Sequence, residues 1–343
     1  MSTPDNAVPV RRLGRSGLIV SRIVLGSMMF GGRTDETEAA RIIADAREQG
    51  VNFIDTADVY NKGESERLVG RLIRANRFDW ILATKLGNAM GKGPNMRGLS
   101  RRWMFEATEQ SLKRLGVETI DIQYLHREDL DTPLEETVRA MADLIRDGKV
   151  RYFGVSNLRA WRIARLCALC DDFGIDRPVV CQLYYHALNR TAETELLPAC
   201  EALGLGTVAY SPLARGVLTG KYPPGQAAPE GSRAASGDKR INETEFHPLN
   251  LQAAAQLKAH CDAGNMDMAA FAGAWVLANP LLTGLIAGPR TFEQWRAYLA
   301  TLEVSLGPDD EAAVDAVVRP GTLAIPQYTD PAYPVEGRPL GRH

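Results

Sequence analysis

Residues 101–156 read RRWMFEATEQSLKRLGVETIDIQYLHREDLDTPLEETVRAMADLIRDGKVRYFGVS and contain two copies of one pattern. In each copy, a run with apolar residues at three- and four-residue spacing is followed by a glycine and then by a short β-rich run. The spacing is typical of an amphipathic helix, and glycine commonly ends a helix because it adopts a left-handed conformation without steric cost. The alternation predicts a parallel α/β fold. The helical runs are residues 101–115 and 134–147, the glycines are Gly116 and Gly148, and the strand runs are residues 120–126 and 150–156.

The same alternation continues in both directions, giving eight strand–helix pairs in all. Because composition does not shift along the chain, we predict one (β/α)8 TIM barrel over residues 1–343 rather than two Rossmann-like halves. A hairpin of residues 10–13 and 18–20 precedes the first pair and is placed to plug one end of the barrel. The other strand runs are residues 23–26, 51–55, 80–85, 178–183, 206–210 and 283–288, and a further helical run is residues 35–49.

Two segments interrupt this rhythm. Residues 211–247 are too long for a plain connection after the seventh strand, so we predict a mobile lid there. Residues 320–343 are rich in proline and lack periodicity, and we predict that this tail forms a second loop, over the active-site face.

Charge and cysteine content exclude several classes of protein. Lys and Arg number 40 against 42 Asp and Glu, a net charge of −2, so the chain lacks the positive field that favours nucleic acid. Nowhere do about 18 apolar residues follow one another, and no signal-like start occurs, so we expect neither membrane spanning nor secretion. Five cysteines, an odd number, favour the reducing cytoplasm over a disulfide framework. Cys167 and Cys170 form a C-x-x-C within a helical run, which we interpret as core packing.

Two glycine motifs resemble nucleotide-binding fingerprints without meeting their structural requirements. Residues 204–209 match G-x-G-x-x-A, but a helix precedes them and a strand follows, the reverse of the order that a dinucleotide fingerprint needs. Residues 87–93 are one residue short of a P-loop and lack the Ser or Thr that holds magnesium. Neither H-E-x-x-H nor G-x-S-x-G occurs, so we expect neither a metal site nor serine-esterase chemistry.

Four chemically complementary side chains follow three consecutive strands of the predicted barrel. Asp55 ends the second strand, with Tyr60 five residues later, Lys85 ends the third strand and His126 ends the fourth. Strand ends of such a barrel share one rim, where functional groups lie. Any one of these residues alone would be an ordinary solvated or salt-bridged group, but together they predict an active site.

A chemical role for each group follows from its charge. A nearby ammonium lowers the pKa of a phenol by favouring the phenolate, so we expect Lys85 to make Tyr60 a better proton donor. Asp55 supplies the counterion that a buried ammonium needs, and His126 can hydrogen-bond a substrate oxygen. The set suits protonation of the oxyanion that forms when a carbonyl carbon receives a hydride.

These four residues resemble the Asp-Tyr-Lys-His tetrad of the aldo-keto reductases, and further motifs of that family occur in order along nearly the whole chain. The likeness is to bacterial-type members and also to the potassium-channel β subunits. It implies a barrel that binds NADPH without a Rossmann motif and reduces an aldehyde or ketone to an alcohol, with Tyr60 as proton donor. The motifs are RLGRSG at residues 12–17, VLGSM at 24–28, GKVRYFGVSN at 148–157, AYSPLARG at 209–216 and TGKY at 219–222.

The resemblance assigns cofactor contacts to the other strand ends. It implies that Ser156, Asn157 and Gln182 bond the nicotinamide carboxamide and that the nicotinamide ring stacks on Tyr210. Arg290 would hold the adenosine 2′-phosphate, since a guanidinium makes paired hydrogen bonds to phosphate oxygens. The remaining implied contacts are Gly26, Ser27, Met28 and Asp55 on the first two strands, Ser211, Leu213, Gly216 and Lys221 along the pyrophosphate, and Gly288 and Gln294 beside Arg290.

The adenosine end departs from the family pattern. Ala297 and Tyr298 stand where the family usually has Glu and Asn, so a polar contact to adenine is lost or replaced by an aromatic one. Arg233 resembles a lid arginine that closes over the cofactor, within an insertion that loosens the match. The resemblance still implies a preference for NADPH over NADH.

The substrate's carbonyl oxygen is expected between Tyr60 and His126. Apolar residues that flank the first and third rim loops are candidates for the substrate wall, with core packing as the competing interpretation. These candidates are Met28, Met29, Phe30, Met90 and Trp103.

Two other functions stay open. A cofactor-sensing regulatory subunit, similar to the potassium-channel β subunits, is disfavoured because the chain keeps His126 where those subunits have an amide. A barrel hydrolase or lyase would need an acid pair or a metal site, which we do not find in the sequence. The substrate, the reaction direction and the oligomeric state are left open at this stage.

Overall fold

A computed structural model describes residues 7–326 and 328–333 of the chain. Eight parallel strands close into a barrel in which each strand pairs with the next along the chain and the last pairs with the first. Helices alternate with these strands, which confirms the predicted (β/α)8 barrel. The barrel strands are β3 (Ile23–Gly26), β4 (Phe53–Asp55), β5 (Ile81–Leu86), β6 (Ile120–Leu125), β7 (Val150–Ser156), β8 (Val180–Tyr184), β9 (Gly206–Tyr210) and β10 (Gly284–Ala287).

Helices of the strand–helix pairs pack their apolar faces against the outside of the barrel, as helix Leu134–Arg146 does against β7. Val138, Met141 and Leu144 show the expected three-residue spacing and are all buried. The helices are α1 (Glu36–Glu48), α2 (Glu64–Ile73), α3 (Arg101–Leu115), α4 (Leu134–Arg146), α5 (Ala160–Phe173), α6 (Leu196–Leu203), α7 (Lys239–Glu243), α8 (Pro248–Ala263), α9 (Met268–Ala278), α10 (Phe292–Leu299) and α11 (Pro308–Val317).

The observed elements are slightly shorter than some of the predicted runs. The second barrel strand, for example, covers Phe53–Asp55 instead of residues 51–55. Val51 is buried but precedes the first backbone pairing with a neighbouring strand. Hydrophobic pattern reports burial, whereas a strand begins only where the ladder of hydrogen bonds begins.

The predicted hairpin is present and closes the amino-terminal end of the barrel. Its strands are β1 (Val10–Arg12) and β2 (Ile19–Ser21). Leu13 and Val20 are fully buried in one cluster with interior barrel residues such as Phe53. Gly14 has a φ of +56°, and a Cβ at this position would lie 2.4 Å from the amide nitrogen of Gly206. Only glycine permits this close approach of the hairpin to β9.

The long connection after β9 contains two short elements that the sequence pattern did not predict, and the first is the 3₁₀ helix Ala214–Thr219. This lid segment (residues 211–247) includes the short helix α7, whose amino-terminal N–H groups donate to the side chain of Asp238. Two longer helices, α8 and α9, then follow before β10.

The cysteines belong to the core. All five are free and buried, which confirms the packing role predicted for Cys167 and Cys170. None of the helices in the described residues combines the length and the apolar character that crossing a bilayer requires.

Candidate active site

Three neighbouring strands bring the four predicted catalytic side chains to one end of the barrel. Asp55 is the last residue of β4, Lys85 is the last but one of β5, and His126 directly follows β6. The strands are parallel and adjacent, so their carboxyl ends share one rim. Tyr60 lies in the turn that follows β4.

Lys85 is the centre of this group. Its ammonium donates to Oδ1 of Asp55, to the backbone oxygen of Thr56 at 2.8 Å and to the hydroxyl of Tyr60 at 3.2 Å. The second oxygen of Asp55, Oδ2, accepts from Nε2 of Gln182 at 2.9 Å. The side chains of Lys85 and Asp55 are 0% and 2% exposed, so this ion pair is removed from water on every side.

Burial and charge set the protonation of the group. Burial raises the pKa of Asp55, while Lys85 opposes that rise. Burial alone would lower the pKa of Lys85, but Asp55 and Tyr60 outweigh it and the pKa is raised. Lys85 is therefore a cation at neutral pH.

The prediction that the pKa of the Tyr60 hydroxyl is lowered is wrong. Burial raises the pKa of Tyr60 most, Lys85 lowers it, and the charge of Asp55 raises it again, so the pKa lies above its usual value. Lys85 thus acts in the predicted direction without setting the outcome. Tyr60 keeps its proton at neutral pH, as a donor must.

His126 is a neutral imidazole whose ring edge faces Tyr60. The two ring centroids are 6.0 Å apart with planes at 83°. Burial, Lys85 and Arg127 hold the pKa of His126 well below its usual range. Its Nδ1 lies 2.9 Å from Nδ2 of Asn88. The sequence analysis considered the loop that contains Asn88 as a failed P-loop and, through Met90, as part of the substrate wall, but it did not predict this contact.

A buried polar layer backs the rim and was also missed. Glu66 accepts from Thr84 at 2.5 Å and forms an ion pair with Arg114 at 2.6 Å. Both carboxyl oxygens of Asp58 are buried and have no side-chain partner among the described residues, and the nearby Val59 N–H lowers its pKa only in part. Burial and the charge of Glu66 raise the pKa of Asp58 to about 8. Its position three residues after Asp55 is the one signal that the sequence offers.

The residues assigned to the nicotinamide lie on the opposite arc of the same rim. Ser156 ends β7 and is buried, and Asn157 follows with a φ of +56°. The hydroxyl of Tyr210 donates to Oδ1 of Asn157 at 2.7 Å, and Nδ2 of Asn157 donates to the backbone oxygen of His126 at 2.9 Å. Gln182 completes the arc through its bond to Asp55. These contacts connect the predicted cofactor side to the catalytic side.

The first rim loop is tied to Asp55. Gly26 pairs with Asp55 across β3 and β4, and a Cβ on Gly26 would lie 2.5 Å from the side chain of Ile286. The hydroxyl of Ser27 is buried, donates to the backbone oxygen of Asp55 at 3.0 Å and lies 2.8 Å from Oγ of Ser65. Ser27 therefore has protein partners of its own.

The loop after β9 has a sharply turned backbone. Ser211 has a φ of +56° and Gly216 one of +102°, while Leu213 lies between them. The ammonium of Lys221 is 3.1 Å from where a Cβ on Gly216 would lie. Among the described residues, no carboxylate forms an ion pair with Lys221, and the side chain is exposed.

The loop after β10 begins with an open position at Gly288, where an added Cβ would meet nothing within 4 Å. Arg290 is exposed, and its backbone N–H donates to Oε1 of Gln294 at 2.8 Å. Arg33, absent from the sequence prediction, lines a cavity of about 320 Å³ together with Arg290. Arg33 also donates to Oγ of Ser236 in the lid segment at 3.0 Å.

The lid arginine and the atypical Tyr298 lie at the same end. Arg233 forms an ion pair with Asp238 at 2.9 Å, within the lid segment itself. Burial raises the pKa of Tyr298 to about 12, against opposing effects of Gly288 and Arg233. The hydroxyl of Tyr298 therefore lies next to the backbone of Gly288, at the end of the site where the sequence analysis expected an aromatic contact to the cofactor.

The candidate substrate wall divides into two groups. Met28 is exposed, and Met29 and Met90 are partly buried, so these three side chains reach the surface. Phe30 and Trp103 are 0% and 2% exposed and belong to the hydrophobic core. The expectation for Phe30 and Trp103 is therefore not supported by their positions, which fit the competing interpretation of core packing.

The described part of the tail contacts the lid segment and the loop after β6. Both carboxylate oxygens of Asp330 accept from the guanidinium of Arg240 on α7, at 2.9 and 2.6 Å. The guanidinium of Arg127 lies 6.0 Å from the ring centroid of Tyr333. Residue 327 and residues 334–343, which the tail prediction included, lie outside the described residues.

The described residues were also compared with the requirements of a metal site. No group of three or more His, Cys, Asp or Glu side chains among residues 7–326 and 328–333 is arranged to hold a metal ion.

Comparison with known proteins gives the relatives of the chain. The model of the Aldo/keto reductase family matches residues 22–319. The uncharacterized oxidoreductase YrpG of Bacillus subtilis (strain 168) is 41% identical over 305 residues, which cover 86% of this chain and 91% of that protein. A probable voltage-gated potassium channel subunit beta of Arabidopsis thaliana is 38% identical over 300 residues, 86% of this chain and 91% of that protein. A putative subunit of the same kind from Schizosaccharomyces pombe is 35% identical over 337 residues, 95% and 97% of the two chains.

Proposed function

Because the chain belongs to the Aldo/keto reductase family, we propose that it uses NADPH to reduce an aldehyde or ketone to an alcohol. The observation that carries this proposal is the buried contact of Lys85 with both Asp55 and Tyr60, beside a neutral His126. A protonated phenol and an imidazole that face each other at one rim suit a carbonyl oxygen that gains a proton.

The residues of the cofactor side fit NADPH. Two exposed cations, Lys221 and Arg290, have no ion-pair partner among the described residues, and phosphate groups would supply the missing negative charge. Ser156 and Asn157 at the end of β7 and Gln182 within β8 offer hydroxyl and amide groups to a carboxamide. We propose that Arg290 and Gln294 hold the 2′-phosphate, that Ser211, Leu213, Gly216 and Lys221 follow the pyrophosphate, and that Gly26, Ser27, Met28, Ser156, Asn157, Gln182 and Tyr210 surround the nicotinamide.

Each catalytic residue then has one task. When bound, the dihydronicotinamide supplies a hydride to the carbonyl carbon. Tyr60 donates its hydroxyl proton to the carbonyl oxygen, and His126 holds that oxygen by a hydrogen bond. Lys85 stabilises the phenolate that Tyr60 leaves behind, and Asp55 keeps Lys85 charged in its buried position.

The surroundings of the site follow from the same proposal. Met28, Met29 and Met90 would contact the substrate because their side chains reach the surface beside the rim. The lid segment, with Arg233, and the tail would cover the rim from two sides. Buried free cysteines fit a cytoplasmic protein, and a net charge of −2 offers nothing to nucleic acid.

The test is the loss of NADPH absorbance on mixing the protein with an activated aromatic aldehyde. Tyr60→Phe should lower turnover by about 10²- to 10⁴-fold, because it removes the proton donor and leaves the cofactor residues in place. NADPH binding, followed by titration, should stay unchanged. Tyr152→Phe, near the amino-terminal end of β7, is the matched control and should keep full turnover. Undiminished turnover in Tyr60→Phe would contradict the role of Tyr60 as proton donor.

A regulatory role is the second candidate, because relatives include probable potassium channel β subunits. In that case the protein would bind NADPH tightly but turn over aldehydes slowly. Tight binding with no measurable aldehyde reduction by the unmodified protein would favour this function. A protein that ignores NADPH altogether would contradict both candidates.

A further inference from the structure

The side chain of Asn88 contacts the imidazole of His126 at the catalytic rim. Nδ2 of Asn88 and Nδ1 of His126 are 2.9 Å apart. The backbone of His126 is held separately: its N–H donates to Leu86 O at 2.8 Å, and its carbonyl oxygen accepts from Asn157 at 2.9 Å. These contacts hold the backbone of His126, whereas the contact with Asn88 acts on the ring nitrogen itself.

The loop that carries Asn88 is anchored at its base. Gly87, just before it, has a φ of +120°, a conformation that favours glycine. The backbone oxygen of Gly87 accepts from Gly98 N–H at 2.9 Å, and Leu99 N–H donates to Oδ2 of Asp129 at 2.7 Å. Asn88 therefore extends from a closed loop base toward the rim, so its position does not depend on the exposed loop tip.

The donor chemistry of an amide decides the tautomer of the imidazole. An amide nitrogen only donates hydrogen bonds, so Nδ1 of His126 must accept and carry a lone pair. The charged groups near the ring are Lys85 and Arg127, and both disfavour a second proton on it. A neutral imidazole has one proton, which is then on Nε2.

We propose that Asn88 is a positioning residue that keeps the proton of His126 on Nε2. In this tautomer Nε2–H can donate to the carbonyl oxygen of the substrate. The other tautomer would present a lone pair to that oxygen and repel it. The role at the substrate rests on the proposed function, but the tautomer is a property of the resting protein and can be measured without turnover.

The first test is nitrogen-15 NMR of the full chain labelled at histidine. The signals of His126 are assigned by their loss in His126→Asn. We expect the unmodified protein to show a neutral ring protonated at Nε2. Asn88→Asp replaces the donor by an acceptor, so at a pH where the ring is neutral its proton should lie on Nδ1. Asn88→Ala should give a mixture of tautomers. A ring protonated at Nδ1 in the unmodified protein, or an unchanged tautomer in Asn88→Asp, would overturn the inference whatever the enzyme does.

The second test is the pH profile of kcat/KM for the aldehyde. In Asn88→Asp the new carboxylate favours the imidazolium, which still donates from Nε2 at low pH. As pH rises through the new pKa of His126, that donor is lost and kcat/KM should fall by about 10²- to 10³-fold. The unmodified protein has no such step, and Asn88→Ala should lose about tenfold at every pH.

These outcomes separate the inference from the proposed function. An Nε2–H tautomer in a protein that reduces no aldehyde would leave the positioning role of Asn88 intact and contradict the proposed function. A parallel decline of kcat/KM in both variants without a pH step would indicate a merely structural role and overturn the inference. Unchanged NADPH affinity in both variants checks that the barrel is intact.

Discussion

The two arcs of the barrel rim handle charge in opposite ways. On the arc formed by β4 and β5, Lys85 and Asp55 are paired with each other and almost wholly excluded from water. On the arc formed by the loops after β9 and β10, Lys221 and Arg290 are exposed and have no ion-pair partner among the described residues. The first arc is neutralised by the protein itself. The second arc has spare positive charge that a phosphate ligand would neutralise.

Backbone conformation follows the same division. Asp55 and Lys85 lie in regular strands, so their positions are set by the barrel ladder. Ser211 and Arg215 have left-handed backbone conformations in a long loop. Such conformations cost free energy and persist only where the surroundings enforce them. We therefore expect mutations on the first arc to change stability and catalysis together, and mutations on the second arc to change mainly cofactor affinity.

Lys85→Met is expected to have the largest effect. It leaves Asp55 buried without its cation, which should lower the free energy of unfolding by about 3–5 kcal/mol and abolish turnover. The double variant Asp55→Asn/Lys85→Met replaces both charges by neutral groups and should regain most of the stability without regaining turnover. Urea unfolding of the three proteins measures this. Equal stability of Lys85→Met and the unmodified protein would remove the proposed contrast between the arcs.

Asp58→Asn tests the layer behind the catalytic arc through the pH dependence of stability. The pKa of Asp58 is raised to about 8 in the folded protein, from about 4 in the unfolded chain. Between these pH values the folded protein keeps a proton that the unfolded chain releases, so stability from this group falls as pH rises. Asp58→Asn removes that fall. Near pH 8.5 the free energy of unfolding of the variant should exceed that of the unmodified protein by a few kcal/mol.

Urea unfolding between pH 5 and 9 gives the two slopes to be compared. Asp172→Asn, at an exposed position, is the control and should keep the slope of the unmodified protein. Parallel slopes for Asp58→Asn and the unmodified protein would mean that Asp58 is ionised in the folded state.

Arg290→Ala tests the second arc. A guanidinium–phosphate contact at an exposed site should be worth about 1.4 kcal/mol, so KM for NADPH should rise about tenfold. KM for NADH should not change, because NADH lacks the 2′-phosphate. Arg296→Ala, on the helix α10 that follows Arg290 and paired with Asp45, is the control. An equal rise in KM for NADPH and NADH would mean that Arg290 does not bind the 2′-phosphate.

The sequence predicts the catalytic arc better than the cofactor arc for a physical reason. Asp55 and Lys85 end strands that hydrophobic pattern locates, and adjacent parallel strands must bring them together. Arg33 and Ser236 meet across 203 residues through loop geometry that no periodicity encodes. The contact of Asn88 with His126 depends likewise on how one glycine-rich loop closes.

The sequence pattern also did not predict in which direction some side chains point or how strongly burial changes a pKa. Phe30 follows the first barrel strand, β3, but Asn61 donates to its backbone oxygen at 2.8 Å in a turn that leaves the ring in the core. Trp103 lies on the buried face of α3, and the sequence pattern places it near the rim without giving its direction. For Tyr60, the charge of Lys85 was visible in the sequence, whereas the larger effect of burial on the pKa was not.

The ion pair of Arg240 with Asp330 is expected to give the smallest effect, and it tests whether the tail and the lid segment act together on the second arc. Its side chains are 32% and 21% exposed, so Asp330→Asn should lower the free energy of unfolding by less than about 1 kcal/mol. If the tail holds α7 in the closed position, its loss lowers the closed fraction, and NADPH should dissociate about threefold faster. Lys239→Gln, next to Arg240 but 82% exposed, is the control and should dissociate NADPH at the unmodified rate. Stopped-flow release measures both; equal rates for Asp330→Asn and the unmodified protein would mean that the tail does not hold the lid segment closed.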